Sequence, residues 1–462
     1  MGKKKDLEDK VEKLKAKVKA LKVQLQGAAA EAIEEIGAEV AEVVAKVKAK
    51  SPVSPLAPAS FPALPVIEGV EFAAVAAGVR YAGRTDVMLA RIAPGATIAG
   101  VFTTSSTRAA CVLDCQAKLA GKVDEGAGAA IVVNSGNANA FTGALGQQSV
   151  DAVTGAVAAA LDLPASRVFS SSTGVIGEPL PHERIVGAIE ALKSGLDAKG
   201  MEAAARAIMT TDTFPKGAMA EVQGDGGMIR IAGIAKGSGM IAPNMATMLV
   251  YIFTDAKISV DKLQKMLSRN VGDTFNAITV DSDTSTSDAL ILAATGRSAA
   301  AEIADMRGKV AHDFEAALRG VMMDLAHQVV KDGEGATKFV EVRVSGAETE
   351  EDAQKVAMAV ANSPLVKTAI AGEDANWGRV VAAVGKSGAK ADRDKLRISF
   401  GEMVLAENGW RVPDYSEEAA SAYMKGQELV IGIDLGLGNA RKSVWTCDLT
   451  HRYIDINADY RS

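Results

Sequence analysis

Residues 236–256 read KGSGMIAPNMATMLVYIFTDA, and the change of character along this stretch governs how the rest of the chain is read. Gly237, Ser238 and Gly239 form a flexible lead-in to Pro243-Asn244-Met245-Ala246-Thr247, and residues 248–253 are an apolar run of strand length. Upstream, residues 228–234 (MIRIAGI) also read as a strand, so two strands flank a Gly-rich connection. Further out, the spacing predicts strands within Val70 to Val79, over Val87 to Ile92 and over 128–133, the last running into the polar turn Asn134-Ser135-Gly136-Asn137. Helical periodicity marks 149–161, 183–193, 259–270, 313–330 and 351–361, and from about Lys338 a tail carries strands at 339–344, 396–399, 428–433 and 443–449. The sum is a mixed α/β (α+β) fold.

Thr247 stands where the Gly-rich segment meets the apolar strand. A threonine hydroxyl is a weak nucleophile at neutral pH, but a free α-amine on the same residue can serve as its base. Inside a chain that amine exists only once the preceding peptide bond is broken, and the small Ala246 leaves the hydroxyl room to attack that carbonyl. Spacing alone does not single Thr247 out, because a β-branched residue opening a buried strand is ordinarily just a strand former.

A chain of 462 residues with 48% apolar and 23% charged residues has the composition of a soluble globular protein of two or three domains. A net charge of −6, with no basic tract beyond the first fifty residues, argues against a nucleic-acid surface. Cys111, Cys115 and Cys447 cannot build a disulfide framework, and four scattered histidines make no zinc site. No apolar run is long enough to cross a membrane, and the N-terminus has no signal-peptide pattern, so the expected location is the cytoplasm. Asp281, Asp283 and Asp288 only loosely match a calcium loop, lacking its glycine and terminal Glu; TVDSDTSTSD reads as a polar structural loop near the site, and no metal is expected.

Residues 1–50 differ from the rest. Leu7, Val11, Leu14, Val18, Leu21 and Leu25 make a heptad seam, interrupted near Gly27 and resumed by Ile33, Ile36, Val40, Val43 and Val47. This helical, coiled-coil-patterned extension fits an oligomerisation arm or an appended solubilising helix equally well. Residues 51–66, with five prolines, read as an extended linker.

A series of short motifs in fixed order then resembles one family. These are 78–86 (GVRYAGRTD), Phe102-Thr103-Thr104, 134–140 (NSGNANA), 171–177 (SSTGVIG), 211–216 (TDTFPK), the segment around Thr247, 279–288 (TVDSDTSTSD), 332–338 (DGEGATK), 373–379 (EDANWGR) and 457–462 (NADYRS). Together they resemble the ArgJ family, the glutamate/ornithine N-acetyltransferases of arginine biosynthesis, from about Leu64 to Ser462. The resemblance implies an ArgJ/DmpA-like sandwich of sheets and helices with N-terminal-nucleophile chemistry and a smaller C-terminal α/β domain from about residue 340. It implies self-cleavage at Ala246–Thr247 into an α-fragment (body residues 67–246) and a β-fragment (247–462), two of each associating. It also implies ping-pong transfer of acetyl from N-acetylornithine to Thr247 and on to glutamate.

Residue by residue, Thr247 matches the nucleophile, and Thr173 and Gly174 match the oxyanion-hole pair. Thr213, Lys236, Thr247, Glu334, Asn457 and Ser462 match substrate-binding positions. Lys236 and the Thr213 hydroxyl are expected to donate to an α-carboxylate, Glu334 to pair with the ornithine ammonium, and Lys216 ranks below Lys236 as a cation. Many family members end in Thr where this chain has Ser462. No cofactor is implied; acetyl-CoA is a candidate co-substrate that no motif decides. A Thr-dependent amidase or aminopeptidase, which lets water resolve the same acyl-enzyme, is the alternative activity, and an unprocessed scaffold the non-enzymatic one.

Overall fold

The computed structural model describes residues 2–24, 52–121, 126–242 and 248–458. Residues 54–449 form one unit, and the stretches up to Val53 and from Thr450 form another.

The larger unit is built on three sheets. The first has the order β1-β2-β4-β5, from Val70–Val75, Val87–Ile92, Ala129–Asn137 and Val168–Val175. The second has the order β3-β9-β8-β7-β6, from Thr97–Phe102 (β3), Lys216–Gly224 (β6), Gly227–Lys236 (β7), Leu249–Thr254 (β8) and Ala289–Ala294 (β9).

Alternation along β8 and β9 shows how the two sheets stack. Leu249, Tyr251, Phe253, Ala289, Ile291 and Ala293 share a core with Phe72, Met88, Ile131 and Phe169 of the first sheet. Val250, Ile252, Leu290 and Leu292 point the other way, against the helices Val260–Val271 and Lys309–Lys331. Residues two apart share a face of a strand, so each strand feeds two cores at once. The back of the first sheet, through Val87, Leu89, Val132 and Val168, packs on the helix Gly143–Leu161 and on Ile185 and Ile189. The order of layers is therefore helix, sheet, sheet, helix. Phe72 and Phe253 meet edge-on across the sheet–sheet core, centroids 5.1 Å apart.

The third sheet has the order β13-β12-β11-β14-β10-β15. Its strands are Phe339–Ala347 (β10), Arg397–Phe400 (β11), Met403–Glu407 (β12), Trp410–Arg411 (β13), Glu428–Asp434 (β14) and Ala440–Cys447 (β15). Val340, Val342, Ile398, Ile431 and Val444 pack with the helices Glu350–Ala361 and Trp377–Gly385 in a core of its own.

Residues 54–66 contain no helix or strand, but they are not a free connector. The Ser54 amide donates to Thr213 Oγ1 at 2.9 Å and its hydroxyl to the Lys331 carbonyl at 2.6 Å. Leu56, Phe61 and Leu64 pack against the two main cores. In the smaller unit Gly2–Gln24 is one helix, and Leu25 and the resumed seam from Ile33 to Val47 lie outside the described residues. Among the described residues no helix is long and apolar enough to cross a membrane.

His327, on Lys309–Lys331, lies against Phe339 and Trp445, with centroids 5.1 and 4.7 Å away. Burial, aided by Lys331, pushes it down from 6.5 to about 4. The folded protein therefore keeps His327 neutral where the unfolded chain already binds a proton. Stability should fall as the pH drops from about 6.5 to about 4, by up to ~3 kcal/mol from this one group. His327→Gln should remove that part of the acid sensitivity in urea titrations across this range; an unchanged pH slope would contradict the assignment.

Candidate active site

The parallel strands β4 and β5 end side by side, with Ser135 opposite Thr173 and Gly136 opposite Gly174. Gly174 has φ +132°, and a Cβ there would lie 2.3 Å from the Gly136 carbonyl carbon, so only glycine fits. Across the sheet–sheet interface, Lys236 ends β7, paired with Leu249 at the start of β8. Its Nζ donates to Thr173 Oγ1 at 3.3 Å. The two sheets thus meet chemically at Thr173 and Lys236, and Leu249 is only two residues beyond Thr247.

Behind Lys236 lies a buried ion cluster. Lys216 Nζ, fully buried, donates to Asp212 Oδ1 and to Asp332 Oδ2, both at 2.6 Å. Asp212 also accepts from the Gly237 amide at 2.8 Å and the Thr210 amide at 2.9 Å. Asp332 accepts from the Thr213 amide at 2.9 Å and from its hydroxyl. The Ser238 hydroxyl donates to the Asp332 carbonyl at 2.7 Å, and the Glu334 amide donates to the Ser238 carbonyl at 2.9 Å. Gly239 leaves room for Glu334: a Cβ at Gly239 would sit 2.5 Å from its carboxyl carbon.

Burial alone would strip the Lys216 proton, but Asp212 and Asp332 outweigh it and hold Lys216 above its ordinary value. Burial works against the Asp212 charge as well, yet Lys216 and Lys236 bring it below the usual carboxylate range. Asp332 goes up, through burial and the neighbouring Asp212 charge. Lys236 is pushed down by burial and by Lys216, with Asp212, Asp288 and Glu334 opposing. Asp288, buried at the start of β9, is pushed well up by burial.

The structure brings Thr173, Gly174, Lys236, Thr213 and Glu334 into one connected network. Ala246, Thr247 and Ser462 lie outside the described residues, and Asn457 belongs to the smaller unit, where its Nδ2 donates to the Tyr453 carbonyl at 3.0 Å. The Thr213 hydroxyl, expected to donate to a substrate α-carboxylate, meets a carboxylate of the protein itself in this structure. Its proton goes to Asp332 and it accepts from the Ser54 amide, so one acceptor lone pair is what remains for a ligand. Lys216, ranked below Lys236 from sequence, is wholly enclosed by its two carboxylates and serves as the internal cation of the site wall. Among the described residues no cluster of side chains could hold a metal ion.

Removing the cation should expose the cost of the buried charges. Lys216→Met leaves two carboxylates without their partner and should lower stability by about 3–5 kcal/mol in urea unfolding. A loss below ~1 kcal/mol would mean that the cluster does not hold these loops together.

A family model described as the ArgJ family matches residues 71–462. An arginine biosynthesis bifunctional protein ArgJ from Ruegeria pomeroyi is 65% identical over 403 residues, covering 87% of this chain and 97% of that one. Another of the same name, from Gluconobacter oxydans, is 53% identical over 401 residues, covering 87% and 94%. Among solved structures, an arginine biosynthesis bifunctional protein ArgJ from Bacillus halodurans is 42% identical with a TM-score of 0.44, covering 45% of this chain and 97% of that one. With its motifs in order and nearly the whole length of these relatives covered, this chain belongs to the ArgJ family.

Proposed function

We propose that the protein is a self-cleaving cytoplasmic acetyltransferase of arginine biosynthesis that moves acetyl from N-acetylornithine to glutamate through Thr247. The observation that carries this reading is the contact between Lys236 and Thr173 beside Gly174. With its oxygen accepting from Lys236, the Thr173 hydroxyl keeps its own proton for a developing oxyanion, and Gly174 can add its backbone N–H.

In maturation the Thr247 hydroxyl attacks the Ala246 carbonyl and the acyl group shifts from nitrogen to oxygen, which breaks the peptide C–N bond and frees the Thr247 α-amine; water then hydrolyses the ester, releasing the Ala246 carboxylate and restoring the Thr247 hydroxyl. In transfer that amine takes the hydroxyl proton as Oγ bonds to the acetyl carbon of N-acetylornithine. The C–N bond then breaks and the proton leaves on the ornithine amine. Glutamate's amine attacks the acetyl ester and regenerates the hydroxyl. Lys236 meets the shared α-carboxylate, Glu334 the ornithine ammonium, and Asn457 and Ser462 complete the substrate contacts. Two copies of each fragment assemble. No cofactor takes part, and acetyl-CoA is a candidate second acetyl donor.

Denaturing intact-mass measurement tests the first step. The 47.7 kDa chain should appear as two fragments meeting at Ala246–Thr247, and Thr247→Ala should remain whole. Efficient cleavage of that variant would exclude Thr247 as the nucleophile. With labelled N-acetylornithine, label should reach glutamate in the cleaved protein, and free acetate released without any need for glutamate would instead mean a hydrolase. Labelled acetyl-CoA tests the second donor directly. Thr173→Ala should lower kcat roughly a hundredfold, with Thr173→Ser retaining most of the rate; equal rates in Thr173→Ala and the unaltered enzyme would remove Thr173 from the oxyanion hole.

A further inference from the structure

The polar end of β4 is tied to the strand that carries Thr173 and Gly174 by side chains as well as by the ladder. Asn134 and Ser172 lie at the register of Val132 and Val168, on the back of the first sheet, away from Lys236. The Ser172 hydroxyl donates to Asn134 Oδ1 at 2.7 Å, and Asn134 Nδ2 donates to the Asn137 carbonyl at 2.9 Å. Asn137 reaches past Gly174. Its Nδ2 donates to the Glu178 and Pro179 carbonyls at 3.1 and 3.2 Å, and its Oδ1 accepts from the Asn139 amide at 2.8 Å. Two main-chain bonds run alongside, from the Ala138 amide to the Val175 carbonyl at 2.9 Å and from the Gly177 amide to the Ala140 carbonyl at 3.0 Å. Asn134 is 4% exposed and Asn137 3%, so each amide must find its partners inside the protein.

The β4–β5 ladder slips register at this point: Gly136 is opposite Gly174, and Asn137 is opposite both Thr173 and Val175. A slip interrupts the regular exchange of main-chain bonds, and buried groups left out of it need other partners. Asn134 supplies one from its own strand, to the Asn137 carbonyl. Gly174 has φ +132° and Gly136 φ +97°. Glycine enters such conformations readily but leaves them as readily, so the frame around the two glycines must select them. We propose that Asn134 and Asn137 are positioning residues that hold this slip and so fix the Thr173 hydroxyl and the Gly174 N–H in place beside Lys236. The proposal rests on the reading of Thr173 and Gly174 as the oxyanion hole. Neither asparagine touches substrate. An oxyanion donor works only within about 2.7–3.1 Å of the developing charge, so a small drift at the slip costs rate while leaving ground-state binding intact.

Aspartate, which has the shape of asparagine, isolates the donor bonds. Asn134→Asp keeps the acceptor for Ser172 and turns an oxygen toward the Asn137 carbonyl. Asn137→Asp keeps the acceptor for the Asn139 amide and loses both bonds to residues 178 and 179.

Acetyl transfer from N-acetylornithine to glutamate should be measured on the full chain carrying Asn134→Asp, Asn134→Ala or Asn137→Asp, each alone and together with Thr173→Ala, with rates counted per cleaved chain. Each alone should lower kcat at least about tenfold, with KM within about twofold. Together with Thr173→Ala, each should cost less than about threefold more, because residues that act through one hole do not multiply their effects. Full rates in the three variants, losses carried by KM, or losses that multiply fully with Thr173→Ala would each overturn the proposal. Hydrogen exchange gives a reading that needs no catalysis and no cleavage. The Ala138 and Gly177 amides should exchange at least about tenfold faster in both aspartate variants, with the rest of the first sheet unchanged. Unchanged exchange at these two amides overturns the proposal whatever the assays show. An unaltered rate in Thr173→Ala would overturn the oxyanion-hole reading instead, with exchange still deciding whether the asparagines hold the slip. Thermal unfolding identifies an alanine variant that does not fold, and the two aspartate variants then decide.

Discussion

One buried ammonium shared by two carboxylates sets the positions of the residues around it. Taking Lys216, Asp212 and Asp332 out of water costs several kcal/mol per ion, and their attraction offsets this only if the remaining lone pairs are also satisfied. They are satisfied by backbone: Asp212 takes the Thr210 and Gly237 amides, and Asp332 takes the Thr213 amide. Three separate stretches, around 210–213, 237–238 and 332, are therefore tied to one charge centre. Thr213, Lys236 and Glu334 are the side chains carried on or beside those stretches, so their spacing follows from the cluster rather than from local preference.

The cluster also tunes what it positions. Lys236 is buried with a second ammonium behind it, and both effects disfavour its charge. Asp212, Asp288 and Glu334 partly restore it. A lysine poised in this way gains from an arriving carboxylate, which supplies the negative charge that its surroundings only partly provide. The Thr213 hydroxyl donates to Asp332, whereas Lys236 donates to Thr173.

How much of this was legible in the sequence depends on where each signal resides. β2 and β8 were readable because their apolar runs have strand length and clear ends. β9, at Ala289–Ala294, was not, because a short run with three alanines after a polar loop has no alternation: it is buried on both faces. β6 was missed because it opens on a lysine, and a lysine argues for surface unless a partner is known. That partner, Asp332, is 116 residues away, beyond any local pattern, although Asp212 four residues before Lys216 was in plain view within TDTFPK. Thr173, Gly174, Lys236 and Glu334 were reached through motifs in order, since Ser, Thr and Gly in a row otherwise read as a turn. Asp281 and Asp288 lie in TVDSDTSTSD, whose composition reads only as a polar structural loop. Sequence could not show that Asp281 accepts from the Met240 and Ile241 amides, about forty residues upstream.

The same topology explains how a break at Ala246–Thr247 could leave the enzyme whole. β3, β6 and β7 precede the bond and β8 and β9 follow it, yet all five lie in one sheet. β7 and β8 pair antiparallel from Ile231 opposite Thr254 to Lys236 opposite Leu249, and β9 pairs with both β8 and β3. A break at Ala246–Thr247 falls between β7 and β8 and outside all of those ladders. The two apolar faces of β8 remain buried in separate cores, against the first sheet on one side and the helices on the other. Separating the residues after such a break from those before it would expose both faces of a central strand at once.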